Sequence, residues 1–299
     1  SCKEETADMD FKNGNELQEL CESCGLPISQ VMKQRECELG ETSQEAVEAR
    51  MLRALEIMKE SAHSPLTAPK KSMGGLIGGE ARLVNERRLA GKSAAGSVLS
   101  RAIAFSMAVL EVNSSMGLIV AAPTAGSSGI VPGLLLALQE EYHLEDKEII
   151  NALFNASAIG YLAMRNATVA GAVGGCQAEV GVASAMASSA AVELMGGTPD
   201  QCLHAATSVL MNFLGLVCDP IGGLVECPCQ GRNAAGVAVA LTAAELSLSG
   251  IKQLIPFDEM LQTMYQVGRQ IPPGLRETAL GGCAATPAGK KLGCKICPK

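Results

Sequence analysis

The residues of this sequence best suited to chemistry are its cysteines, twelve in 299 residues. Three of them share an unusual setting. Cys176 sits in GCQAEVG (175–181), Cys218 opens CDPIGGLVECPC (218–229), and Cys229 closes that same loop. Each falls where a predicted helix meets a glycine-rich turn, in the least charged part of the chain. Thiolates bind iron, and a negatively charged cluster is favoured by helix amino termini, exposed backbone N–H groups and glycines that admit close backbone approach. Three thiolates would leave one iron of a [4Fe–4S] cluster without a protein ligand. Such an open position separates a catalytic metal centre from a structural one, and that iron could bind a hydroxyl oxygen and help it leave. Spacing by itself leaves the matter open. Buried inert thiols beside glycine turns are common, a dense ferredoxin-type cysteine run is absent, and either thiol of Cys227-Pro228-Cys229 could point inward.

A second candidate is the segment APTAGSSGIVPG (122–133). The backbone N–H groups of Gly126, Ser127, Ser128 and Gly129, with the hydroxyls of Thr124, Ser127 and Ser128, could cradle a carboxylate at a helix amino terminus. An ordinary Gly/Ser turn has the same composition. Arg232 and Asn233 read as carboxylate partners or as plain helix residues, and Asn166 and Thr168 as weaker candidates beside Cys176. The pairs Cys21-x-x-Cys24 and Cys294-x-x-Cys297 have zinc-ligand spacing but lie at opposite ends of the chain. His63, His143 and His204 have no Ser or Cys partner that would make a nucleophile. Lys70 and Lys71 lack the context of a pyridoxal-phosphate Schiff-base lysine.

The elements that must position these residues read as helices. Apolar residues make up 47% of the chain with no Trp, three Tyr, five Phe and 32 Gly, so the core is built from small and aliphatic side chains rather than from the aromatic and β-branched alternation of strands. Thr42-Ser43-Gln44-Glu45 is a capping-box pattern opening a helix whose Val47, Met51, Leu55 and Met58 recur at helical spacing, ending near residue 63. Helices are expected at 15–22, 28–38, 93–111, 130–142, 146–165, 177–196, 199–215, 231–250 and 258–269, with 64–93 as loop. The expectation is an all-α, Gly/Ala-rich domain of about eight to ten helices over 14–290, a disordered leader at 1–13 and a flexible tail at 291–299.

Charge narrows the function. Residues 1–60 carry 14 acidic and 7 basic side chains, which accounts for the net charge of −7; residues 151–250 hold only eight charged residues. That stretch must be buried, in its own core or against a partner. An acidic chain without a basic patch is not built for nucleic acid. The amino end has no basic-then-apolar signal pattern, and neither of the most apolar runs, 102–123 and 180–196, is long and uninterrupted enough to span a bilayer. A cytoplasmic, soluble protein is expected, with its thiols reduced.

Taken together, 122–133, 175–181, 218–229 and the following Arg232-Asn233-Ala234 resemble the catalytic part of the iron–sulfur L-serine dehydratases, and the likeness runs from about residue 14 to about residue 290. It is similar to the alpha subunit of the two-subunit type. The resemblance implies that Cys176, Cys218 and Cys229 ligate a [4Fe–4S] cluster, with Cys227 a neighbour, and that the open iron takes the hydroxyl of L-serine. It implies loss of water to give aminoacrylate, which hydrolyses to pyruvate and ammonia, as in amino-acid degradation and gluconeogenesis. It also implies a beta subunit, in a heterodimer or higher oligomer, that carries the His/Thr-containing loop in which the general base would lie. Some members cap the fourth iron with a carboxy-terminal cysteine, for which Cys283, Cys294 and Cys297 are the candidates. A related lyase acting on L-cysteine and a non-catalytic iron–sulfur sensor or carrier are the alternatives.

Overall fold

The computed structural model describes residues 9–296, and it is helical throughout: among those residues there is no strand, only a lone bridge between Cys218 and Arg276. The all-α expectation holds, with fourteen helices among the described residues in place of eight to ten. The amino-terminal pair is α1 (Gly14–Cys24) and α2 (Ile28–Leu39). Asn13 caps α1 by accepting the Glu16 N–H, and Gly25, at a φ of 64°, ends it in the left-handed region that glycine adopts without cost. Residues 9–13 do not form the disordered leader expected of them. Phe11 is fully buried with its ring edge-on to Tyr161, and Asn13 is that cap, so the chain is anchored from here on; residues 1–8 lie outside the described residues.

Two differences from expectation follow in the next stretch. α3 (Gln44–Thr67), capped by Ser43, runs past residue 63 and takes Pro65 into its last turns. Pro65 removes one backbone donor, and its ring is buried. α4 (Glu80–Leu89) forms inside the segment expected to be loop. Only Ala81 of its ten residues is buried, so no apolar stripe marks it in the sequence. Its first turn is held from another helix, where the Glu111 carboxylate accepts the Ala81 N–H at 3.0 Å.

The core is made by α5 (Gly96–Ser114), α6 (Ile130–Tyr142), α7 (Asp146–Asn166), the single turn α8 (Gly171–Gly174), α9 (Val182–Leu194), α10 (Pro199–Phe213) and α11 (Cys229–Leu248). α9 is central, packed on α6, α7, α10 and α11 and buried along nearly its whole length. Its run of Ala and Ser allows four neighbours to close around it. Close approach also fixes the loop before α6: a Cβ on Gly129 would stand 2.2 Å from the Ser106 carbonyl oxygen of α5.

α12 (Phe257–Gln270) lays Phe257, Met260, Leu261 and Met264 on this core. One continuous cluster of buried residues joins Phe11 to Met264. The chain closes with the turn α13 (Gly282–Ala285) and α14 (Pro287–Ile296), which packs on the turn Ile221–Gly223. The expected flexible tail is thus helical through Ile296, and residues 297–299 lie outside the described residues. Among the described residues no helix is long and apolar enough to cross a membrane.

Candidate metal and substrate site

Local sequence explains how the thiols are presented. Gly175, at a φ of 74°, breaks the chain after α8 so that Cys176 starts a single π-type turn, Gln177–Gly181, before α9. Gln177 locks that turn: its amide donates to the Met264 carbonyl at 2.7 Å and its oxygen accepts the Gly215 N–H at 2.8 Å. Cys218 lies on the extended stretch after α10, hydrogen-bonded on both sides to residues 275–277. Cys229 is the first residue of α11. All three are buried.

Cys176 and Cys218 meet. Their sulfurs lie within 4.8 Å of each other, and the interaction with Cys218 holds the Cys176 pKa below its ordinary value against the effect of burial, with the Arg232 guanidinium acting in the same direction. The same contact pushes Cys218 up. Arg232 Nη1 is 3.5 Å from the Cys176 sulfur. Burial raises Cys229 to about 12, and the charges of Cys176 and Glu179 act on it as well. Cys227 is half-buried and feels Arg232 and Asp219 rather than Cys176 or Cys218. Cys229, buried at the start of α11, feels the charge of Cys176 and lies outside the set of ligand atoms within 4.8 Å that Cys176, Cys218 and Glu179 form.

A carboxylate joins the thiols. One ligand atom each from Cys176, Glu179 and Cys218 lie within 4.8 Å of one another, with the Cys218 sulfur 4.0 Å from Glu179 Oε2. This is a donor set for a transition metal: soft sulfur, one thiol already drawn toward the thiolate, and a carboxylate beside them. The other oxygen of Glu179 accepts the Thr124 hydroxyl at 2.9 Å, and Thr124 meets Ser127 at 3.0 Å. The 122–129 segment is thus tied directly to the cysteines. Burial raises Glu179, the Thr124 hydroxyl opposes that, and Glu277 adds to it.

The other expected substrate contacts separate into two kinds. Thr124 and Gly126 are partly exposed beside Glu179, whereas Ser127, Ser128 and Gly129 are buried, with the Ser128 hydroxyl spent on the Ala125 carbonyl at 2.7 Å. Asn233 is fully buried; its amide donates to the Gly126 and Cys229 carbonyls at 2.8 and 2.9 Å, and its oxygen accepts the Gly129 N–H at 3.1 Å. All its polar capacity goes to backbone, so it staples the 122–129 segment to the start of α11. Arg232 is likewise occupied, by the Asp219 carboxylate at 2.7 Å, the Val217 carbonyl at 2.9 Å and Cys176. Both residues hold the frame of the site.

Sequence reasoning missed three acidic residues. Glu179 stands inside the GCQAEVG motif but was not singled out. Asp219 is buried; burial works against its ionisation, yet the Cys283 N–H at 2.6 Å and Arg232 outweigh it and hold its pKa down. Glu226, also buried, accepts from the Ser72 hydroxyl and the Gly74 N–H at 2.6 Å each and from the Leu76 N–H at 2.9 Å, which fastens the glycine-rich 72–77 loop to the cysteine loop. A lone acidic residue among few charges, as each of these is, was the available signal.

Other candidates fall elsewhere. Asn166 donates to the Lys12 carbonyl at 2.8 Å, Thr168 accepts the Ala170 N–H, and His63 bridges Lys59 and Glu140. His204 accepts the Gln253 N–H, and His143 ends α6. Cys21 lies buried near Glu193, while Cys294 is exposed on α14 over the 221–223 turn; their proposed zinc partner Cys297 is outside the described residues. Cys283 is hydrogen-bonded to Asp219.

The chain matches known proteins over nearly its whole length. A family described as serine dehydratase alpha chain matches residues 23–284. The chain is 44% identical over 286 residues to a probable L-serine dehydratase, alpha chain, of Bacillus subtilis (strain 168), covering 96% of this chain and 95% of that one. It is 43% identical over 282 residues to the L-serine dehydratase, alpha chain, of Peptoniphilus asaccharolyticus, covering 94% and 97%. An L-serine dehydratase of Helicobacter pylori (strain ATCC 700392 / 26695) is 34% identical over 286 residues, and there the match covers 93% of this chain but 62% of the relative.

Proposed function

The chain belongs to the serine dehydratase alpha chain family, and from that premise we propose that it is the cluster-bearing subunit of an L-serine ammonia-lyase, with residues 14–290 as its catalytic domain. The observation that carries the reading is the meeting of the Cys176 and Cys218 thiols, with Thr124 linked through Glu179 to the same point. Cys176, Cys218 and Cys229 would hold a [4Fe–4S] cluster; the donor set fits, since all three are buried and Arg232 beside them compensates negative charge. When bound, the cluster would supply a Lewis-acidic iron that polarises the β-hydroxyl of L-serine.

The chain's own residues do the rest of the binding. Thr124, with the N–H groups of Ala125, Gly126 and Ser127, receives the substrate carboxylate, and Asn233 and Glu179 keep that turn at a fixed distance from the cysteines. Arg232 orients Cys176 and Asp219 rather than touching substrate. Loss of the α-proton and the β-hydroxyl as water gives aminoacrylate, whose imine tautomer takes up water to yield pyruvate and ammonia. We assign the base to a beta subunit. This is supported by the alpha-chain names of the relatives that match end to end and by the longer H. pylori relative, of which 38% lies outside the match.

The test is anaerobic reconstitution with iron and sulfide, with and without the beta subunit, followed by turnover of L-serine, L-threonine and L-cysteine. Pyruvate from L-serine only when both chains are present is the expected result. Sulfide release from L-cysteine in preference would identify the related desulfidase instead, and no turnover of any substrate would leave a sensor or carrier.

A further inference from the structure

Among the described residues, Glu179 is the acidic residue whose carboxylate stands within 4.8 Å of two cysteine thiols, and no cation there pairs with it. Arg232 is committed to Cys176, Asp219 and the Val217 carbonyl. The other charge acting on Glu179 is Glu277, of the same sign. Its Oε1 accepts from Thr124, while Oε2 accepts from the Cys218 thiol at 4.0 Å. The backbone of Gly171 closes the far side so tightly that a Cβ there would stand 2.5 Å from Oε2 and 3.2 Å from the Cys218 sulfur. A half-buried carboxylate is stabilised when it is paired or bound to a metal. Here one oxygen is fixed by a hydroxyl and the other is aimed at the position shared by two thiols, within a common 4.8 Å.

We propose that Glu179 is a fourth protein ligand of the site, its Oε2 occupying the coordination position that three thiolates leave open until substrate displaces it. The proposal rests on the cluster assignment made above. Carboxylate oxygen is a ligand iron accepts readily, and its weaker hold than a thiolate makes it exchangeable for a substrate hydroxyl. Thr124 gives the exchange a second effect. Because its hydroxyl bonds Glu179 Oε1, the residue that receives substrate and the ligand that must leave are coupled by one hydrogen bond. The exchange changes neither bond order nor oxidation state: carboxylate leaves the iron as the hydroxyl oxygen arrives.

The test uses the chain reconstituted anaerobically and reduced with dithionite, probed by electron–nuclear double resonance in H217O. Without L-serine, the wild-type cluster should show no oxygen-17 coupling from solvent, because Glu179 fills the open position. Glu179→Gln should keep its iron content and visible absorption yet acquire that coupling as water enters. A solvent coupling of equal strength in the wild-type protein would overturn the proposal, and this arm decides even if the variant takes up no cluster. Failure is separable from failure of the underlying reading: a wild-type chain that forms no cluster overturns both, whereas a cluster with solvent on its iron overturns this proposal alone.

Discussion

Arg232 and Asn233 are adjacent in sequence and both stand at the site, yet they do different work there. Arg232 pairs with a buried carboxylate and a thiol; removing one partner of such a buried pair leaves the other charge uncompensated, at a cost of about 3 kcal/mol. Arg232→Met should therefore lower stability by about that amount in urea titration and impair iron uptake, because Cys176 would lose the cation that favours its thiolate. Arg232→Lys keeps the charge but not the forked geometry, and should recover only part of either property. Asn233→Ala removes three hydrogen bonds to buried backbone and should cost about 1–3 kcal/mol. Its kinetic signature should be a fall in kcat along with a rise in KM, since the segment it staples carries Thr124 to the thiols. A rise in KM alone would make it a simple substrate contact.

At the scale of elements, the site depends on loops that buried carboxylates fasten in place. Glu226 is the clamp on the 72–77 loop, and Glu226→Ala should speed hydrogen exchange at Gly74 and Leu76 by about tenfold or more while leaving the amides of α9 protected. Unchanged exchange would mean the loop is held by other contacts. Glu111 does the corresponding service for α4, and burial pushes its pKa up. A carboxyl whose folded pKa lies above its unfolded value weakens the fold as pH rises from the unfolded value through the folded one, because the unfolded chain gives up its proton first. Glu111→Gln removes that titration. The variant should lose less stability than the wild type as pH rises above the ordinary carboxyl value of about 4.3, and parallel pH curves would refute the assignment.

Helices with an apolar face were legible in the sequence, and those without one were not. The runs behind α5, α6, α7, α9 and α10 could be read from periodicity and caps because packing selects those positions. α4 could not, since one buried residue in ten leaves no pattern and a carboxylate from α5 supplies its support. α14 was hidden for a related reason: Lys290, Lys291 and Lys295 look like a solvated tail until the 221–223 turn is there to receive the helix. At the site, the glycines and cysteines marked the right loops. The roles of Arg232, Asn233 and Glu179 were not legible, because each depends on which of several close polar groups its side chain meets once α11 and the π-type turn are in register.

For the whole molecule, the central claim is that a single helical chain gathers three cysteines from three junctions into one iron–sulfur centre and leaves part of the chemistry to a partner. The most direct measurement is iron and sulfide content, with visible absorption, of the anaerobically reconstituted chain and its single cysteine variants. The wild type and Cys227→Ala should each bind about four irons per chain, and Cys176→Ala, Cys218→Ala and Cys229→Ala should each lose the cluster. Retention of a full cluster in Cys229→Ala, or its loss in Cys227→Ala, would contradict the account.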